Sequence, residues 1–316
     1  RMPLSESLPM LERLGVRVQF EHPHRLEPAG ASAVWVVDFG LAPPPGALAL
    51  AEVRESFHQA YLGMWSGAVE ADRLNRLVLT AGLKPGEIVV LRAYARYLNQ
   101  TGSSLSLSYV EEALAANPAA AALLVRLFVA RFDPGAERAE ARFIREIEAA
   151  LDRVENLDQD RILRSFLAVI QASTRTNFFQ GEKPYLSLKV DPAKVPGLPE
   201  PRPMYEIWVY SPRVEAVHLR GGPVARGGIR WSDRREDFRT EVLGLMKAQM
   251  VKNVVIVPVG AKGGFVLKRA PAGEREALMK EGIACYQTFL RGMLDITDNL
   301  VGGKVVPPRG VVRHDG

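Results

Sequence analysis

Cysteine is all but missing: Cys285 is the one thiol in 316 residues. An internal disulfide is thereby excluded, and the chain suits a reducing, cytoplasmic compartment. No metal site can be assembled by spacing. His22 and His24 flank Pro23 without companion ligands, and His58, His218 and His314 stand alone. Long apolar runs are missing as well. The longest, 118–132, is interrupted by Arg126 and Arg131, short of the roughly 18 residues that a membrane span needs. The opening RMPLSESLPM has no apolar stretch of the signal-peptide kind. No GxGxxG follows a strand pattern, and AKGG (261–264) lacks the GxxxxGKS/T spacing of a phosphate loop. Charge of one sign is scarce too: 41 basic against 36 acidic side chains leave a net +5. That mild excess is weak support for nucleic acid and compatible with anionic metabolites.

What the sequence has in ordinary measure is core. Apolar residues make up 47% and charged residues 24%, a globular composition in a chain long enough for about two domains. Three zones follow one another. In the first, Leu4, Leu8, Leu11 and Leu14 recur at helical spacing until Gly15 stops the run. VRVQFEH (16–22) and AVWVVDF (33–39) then read as strands. A helix followed by two strands is most of a small βαββαβ module without its first strand, so the sequence reads as cut from something longer.

PPPG (43–46) signals a linker, after which the pattern turns helical for about 130 residues. Asn117 before Pro118 reads as an N-cap with proline at the first helical position. Ser108 and Glu111 have capping-box spacing. Leu123, Leu124, Leu127, Phe128 and Phe132 trace one apolar face until DPG (133–135). Ile162, Leu163, Phe166, Leu167 and Ile170 trace another. These stripes read as packing between helices, and no catalytic constellation falls among them.

The third zone opens near Tyr185. YLSLKV (185–190), YEIWVY (205–210) and VEAVHL (214–219) read as strands leading into an arginine-rich loop. A helix is expected from about Arg234 to Lys252, then a buried strand NVVIVPV (253–259), a turn over 260–264, and a strand FVLK (265–268). A further helix runs from about Ala272 to Leu294. Strands alternating with helices mean α/β.

Lys262 is the first candidate for chemistry. It lies among Gly260, Gly263 and Gly264, and glycines let a ligand approach the backbone closely. An ammonium group at the end of a buried strand loses hydration, which makes lysine a usable acid or base. The same residues equally describe a glycine-rich hairpin with a solvated lysine at its tip. Gln249 and Lys252, three apart on a helix, can converge on one carboxylate; Lys252 equally suits a helix C-terminus. The run 220–237 carries Arg220, Arg226, Arg230, Arg234 and Arg235 with glycine pairs at 221–222 and 227–228. Arginine forks there recognise carboxylate or phosphate, or else pair with Asp233, Glu236 and Asp237 in a structural network.

At these residues the sequence acquires relatives. ARGGIRW (225–231), LGLMKAQMVKN (243–253) and VPVGAKGGF (257–265), in that order, resemble the substrate-binding domain of glutamate dehydrogenases. EAVHLRGG (215–222), DITDNLVGGKVVPP (295–308), YLGMWSGAVEADRLNRLVL (61–79) and LRAYARYLNQTG (91–102) resemble, more narrowly, the large bacterial NAD-dependent members. The resemblance covers essentially the whole chain.

That resemblance implies a truncated ACT-like βαβ start over 1–42, a helical domain over 43–180 and an α/β substrate-binding domain over 181–316. The chain would stop before a Rossmann NAD domain. It implies oxidative deamination of L-glutamate to 2-oxoglutarate and ammonia, with NAD bound outside this chain and a homo-oligomer as the full-length protein. Residue by residue, it assigns the side-chain carboxylate to Arg226 beside Gly227 and Gly228, the α-carboxylate to Gln249 and Lys252, and catalysis to Lys262. Arg226 departs from the lysine of the commoner hexameric enzymes, and the turn before Lys262 has one glycine fewer. Neither nucleic acid nor membrane is expected as a partner. The competing reading is a regulatory or oligomerisation scaffold that senses amino acids, supported by the large helical middle.

Overall fold

The computed structural model describes residues 3–30, 32–102, 105–223, 226–252 and 259–315, with the backbone alone at 226, 251 and 252. The chain divides into two compact units, Arg1–Val89 with Glu111–Ala122, and Val90–Val110 with Leu123–Gly316.

The first unit opens with helix α1 (Leu4–Arg13) and the strands β1 (Arg17–Leu26) and β2 (Val34–Ala42), followed by α2 (Leu50–Ser66) and the short α3 (Leu77–Ala81). The leucine periodicity is realised in α1. It ends where Gly15 takes φ +90°, and a Cβ at that position would stand 2.8 Å from the Arg76 side chain. β1 and β2 pair antiparallel with a register shift between Val18 and Phe20. Leu11, Val16, Val53 and Leu79 form the core here, with Val18, Phe39, Leu41 and Phe57 packed on it. The order helix–strand–strand is the ACT-like start expected from the sequence.

Helices α4 (Pro85–Gln100), α5 (Leu107–Ala116), α6 (Pro118–Phe132), α7 (Glu140–Leu151) and α8 (Leu157–Ala172) form the helical region. α6 begins at Pro118 as read. Ser108 is not the cap: Ser106 accepts the Tyr109 N–H, because α5 begins at Leu107, two residues earlier than the spacing suggested. Asn156 caps α8 by accepting from the backbone of Asp158 and Gln159. The stripe Ile162, Leu163, Phe166 and Ile170 is buried, as the helical periodicity requires. Among the described residues no single helix is long and apolar enough to cross a membrane.

The second unit is organised on a six-stranded mixed sheet of β3 (Ser173–Thr176), β4 (Leu186–Val190), β5 (Tyr205–Tyr210), β6 (Val214–Arg220), β7 (Arg226–Trp231) and β8 (Gly260–Leu267), in the order β3-β4-β5-β6-β8-β7. Helix α9 (Phe238–Lys252) crosses from β7 to β8, and α10 (Arg275–Asp295) follows β8. Strands β3 to β6 form an antiparallel meander. β8 then inserts between β6 and β7, antiparallel to the first and parallel to the second. Val209, Val214, Ala216, Phe265, Leu267, Cys285 and Phe289 make the core between this sheet and α10. A hairpin of β9 (Asn299–Val301) and β10 (Lys304–Val306) completes the elements.

Two expectations fail here. The segment 220–237 is not wholly a loop, since 226–231 is the edge strand β7. Nor is 260–264 a turn: it is the first part of the continuous strand β8. Its glycines serve close packing rather than reversal. A Cβ at Gly263 would stand 3.2 Å from Phe289 of α10, and one at Gly264 only 2.3 Å from Val242 of α9. Helices press on both faces of β8, and only hydrogen fits. The solvated hairpin tip is thereby overturned. The strand expected over 253–259 lies outside the described residues except at Val259.

Candidate anion-binding site

Parallel β7 and β8 begin side by side, with Arg226 against Gly260, Gly227 against Ala261 and Gly228 against Lys262. Across its other neighbour, Lys262 faces Leu219 of β6. Lys262 and Gly264 share a face of the strand by period-2 alternation, so Lys262 stands on the α9 side of the sheet.

A parallel crossover obliges α9 to run back over the sheet, which brings its C-terminal end to the N-terminal ends of β7 and β8. Gln249 arrives there. A Cβ at Gly227 would lie 3.1 Å from Gln249 Oε1, and one at Gly260 would lie 3.1 Å from Gln249 Cβ. A Cβ at Gly228 would lie 3.8 Å from Lys262 Nζ. The amide of Gln249 and the ammonium of Lys262 therefore flank the same glycine pair. Gln249 Oε1 is buried without a hydrogen-bond partner, and among the described residues the Lys262 ammonium has no ion-pair or hydrogen-bond partner. Arg226 and Lys252 have backbone positions at this end, Arg226 opening β7 and Lys252 closing α9. Their side chains lie outside the described residues.

Beneath the site lies a pair that the sequence reading missed. Glu206 and Arg239 are 0% and 1% exposed and join in a bidentate bridge, with both N–O distances 2.7 Å. Arg239 belongs to the first turn of α9, whose backbone N–H at 239 donates to Gln100 Oε1. Glu206, Leu219, Lys262 and Gly228 form one cross-strand row, so the bridge is two strands, roughly 10 Å, from Lys262. A glutamate inside the apolar run YEIWVY was the available signal, since a lone acid at a buried strand position needs a partner.

The arginine-rich run is largely consumed by internal pairs. Arg230 bridges Glu241 at 2.6 Å, Arg234 bridges Asp237, and Arg220 donates to the Pro223 carbonyl. A second cation cluster holds the end of the chain: buried Arg175 engages Asp298 and Asp315, and Lys189 also engages Asp315. Burial acts against the Asp315 carboxylate, but hydrogen bonds from Arg175 and Lys189 hold its pKa below the usual range. Cys285 is a buried helical residue whose thiol is pushed up to about 12 by burial and then by Glu281.

At the end of a mixed sheet, a glycine strand pair is bordered by the Gln249 amide, whose Oε1 is buried without a donor, and by the Lys262 ammonium; this is the arrangement of an α/β domain with a candidate polar ligand site. Comparison with known proteins gives the family. Residues 146–316 match the model for the bacterial NAD-glutamate dehydrogenase catalytic domain, 69–134 that for glutamate dehydrogenase helical motif 3, and 1–53 that for the glutamate dehydrogenase ACT3 domain. The chain belongs to the bacterial NAD-glutamate dehydrogenase family. It is 53% identical to the NAD-specific glutamate dehydrogenase of Halomonas elongata over 99% of this chain and 20% of that protein. The corresponding protein of Pseudomonas aeruginosa is 51% identical with the same coverage. That of Mycobacterium tuberculosis is 48% identical, covering 99% of this chain and 21% of the relative. The chain thus spans about one fifth of the length of the curated relatives it matches.

Proposed function

We propose that this chain supplies the glutamate-binding half-site of an NAD-dependent glutamate dehydrogenase, which converts L-glutamate to 2-oxoglutarate and ammonia within a homo-oligomeric full-length protein. The observation that carries the proposal is the pair of unsatisfied groups, Gln249 Oε1 and Lys262 Nζ, beside Gly227 and Gly228. Each is costly unless a ligand completes it: the Lys262 ammonium calls for an anionic oxygen, and the Gln249 Oε1 acceptor calls for a donor, such as the α-ammonium group of glutamate. In this reading Lys262 stabilises the charge that develops as water adds at the α-carbon, where a preorganised cation is worth most. Gln249, through its Nε2 donors, and Lys252 hold the α-carboxylate, Arg226 holds the side-chain carboxylate, and the absent Cβ at 228 leaves room over Lys262 for the substrate. The working division of the chain is 1–42, 43–180 and 181–316.

The described residues do not fit the nicotinamide cofactor. The β7-to-α9 connection is the parallel crossover where a pyrophosphate would be cradled. It reads Ser-Asp-Arg-Arg-Glu-Asp over 232–237, with no glycine to bring backbone N–H groups up to a pyrophosphate and with Arg234 already committed to Asp237. NAD is accordingly assigned to residues other than these, and the chain on its own is expected to produce no NADH.

Titration of 2-oxoglutarate into this chain, followed by calorimetry, tests the half-site. Saturable binding that Lys262→Met abolishes, with the circular dichroism spectrum unchanged, is expected. Equal binding by parent and variant would sink the assignment and favour the scaffold reading.

A further inference from the structure

A second cavity, well apart in the sequence from the glycine strands, has the makings of a ligand site of different chemistry. It has a volume of about 300 Å³ and lies among the C-terminal end of α4, the N-terminal half of α8 and the loop 195–197. That is roughly twice a cavity that accepts benzene, and at the lower end of small-ligand pockets. Its wall is apolar, from Leu98, Ile162, Phe166 and Val195. Ile162, Phe166 and Val195 are themselves buried, so the wall is backed by core and does not collapse.

The polar groups around the cavity are unequal. Thr101 spends its hydroxyl on the Leu98 carbonyl at 2.7 Å, and Ser165 spends its own on the Arg161 carbonyl at 2.8 Å. That leaves Arg161 as the one charged lining residue among those described. Its neighbours on α8 do not neutralise it. Asp160 is taken by Arg164 at 2.8 Å, and Arg164 also reaches Asp152. Among the described residues Arg161 has no ion-pair partner. Among the described residues no acidic side chain lines the cavity.

An apolar chamber with one uncommitted guanidinium and no acid selects a particular ligand. We propose that this cavity binds a small monocarboxylate with an apolar tail, the carboxylate forked by Arg161 and the tail against Ile162 and Phe166. The planar fork matches a carboxylate bidentately, and the tail gains by leaving water. An α-ammonium group would find no carboxylate to pair with, so the deaminated acid is preferred to the amino acid of the same skeleton. The site is independent of Lys262.

The experiment titrates this chain with 4-methylpentanoate, with leucine, acetate and 4-methylpentan-1-ol as comparators, by calorimetry or by amide NMR shifts at Gly102 and Gly197. Saturable binding of 4-methylpentanoate is expected, at least tenfold tighter than each comparator. Arg161→Gln is expected to weaken the acid at least tenfold and leave the alcohol unchanged. Ser165→Phe, which fills the cavity from its rim and spares the core stripe of α8, is expected to abolish binding with helicity retained. Absence of saturation by 4-methylpentanoate overturns the proposal. So does binding of the acid that survives Arg161→Gln or Ser165→Phe.

Discussion

Gly228 and Lys262 face each other across the parallel β7–β8 pair, and a methyl group at 228 would stand 3.8 Å from the lysine Nζ. One residue earlier the tolerance vanishes: a methyl at Gly227 would lie 1.4 Å from the Ala261 carbonyl oxygen. Two adjacent glycines thus do different work, the first permitting the strand pair and the second leaving room over the lysine.

Gly227→Ala and Gly228→Ala should therefore separate stability from binding. Gly227→Ala forces β7 off β8 and is expected to cost about 3 kcal/mol, the scale of overpacking against backbone. Gly228→Ala meets only ordinary van der Waals contact and is expected to fold with an unchanged thermal midpoint while binding 2-oxoglutarate more weakly. Thermal unfolding and calorimetry on both variants check this, and equal losses of stability would contradict it.

In a full-length dehydrogenase carrying this segment, Lys262→Met is expected to lower kcat by about 10²–10³, the magnitude for loss of one preorganised electrostatic group. The methionine keeps the stem and the strand while removing the charge. Rates of NADH formation with saturating glutamate provide the measurement. A change confined to KM would assign Lys262 to ground-state binding only.

The Glu206–Arg239 bridge is fully buried, so breaking one side leaves an uncompensated charge. Glu206→Leu or Arg239→Met alone is expected to destabilise by roughly 3–5 kcal/mol, whereas the double variant recovers most of that loss. Urea unfolding of the three variants measures the coupling. Because Arg239 anchors the start of α9, the single variants should also loosen Gln249 at the other end of the same helix.

Much of the fold was legible because it is written locally. Strand β5 runs over the same residues as its alternating pattern, and α1 and α10 follow their apolar spacing to within a few residues. The glycines at 260, 263 and 264 misled because a local reading takes glycine as a turn former. Here their cause is non-local: Val242 and Phe289, from helices on opposite faces, each need the volume of a side chain. The candidate site was legible at Gln249 and Lys262 because their chemistry is unusual for their positions. Glu206 with Arg239, and Arg175 with Asp298 and Asp315, escaped because the partners are 33, 123 and 140 residues apart and no periodicity links them. Their only sequence trace is a charge inside a strand.

His218 gives a prediction about pH whose sign follows from burial. It lies on β6 opposite Gly263, on the α10 side of the sheet. Burial, and then the nearby Arg220 cation, lower its imidazole from 6.5 to about 4. Between those values the unfolded chain binds a proton that the folded chain refuses, so stability rises with pH across this window. The term is fully present above about 6.5, is lost progressively as pH falls to about 4, and is flat below; at most it amounts to about 3 kcal/mol. His218→Asn keeps a polar group of similar size without titrating in this range, which cancels the contributions of the carboxylates when the two proteins are compared. Urea unfolding from pH 4 to 7 should show the parent losing stability relative to His218→Asn as the solution is acidified. A difference that stays constant across the range would mean that His218 accepts its proton in the folded state, and that the α10 face of the sheet is open to water.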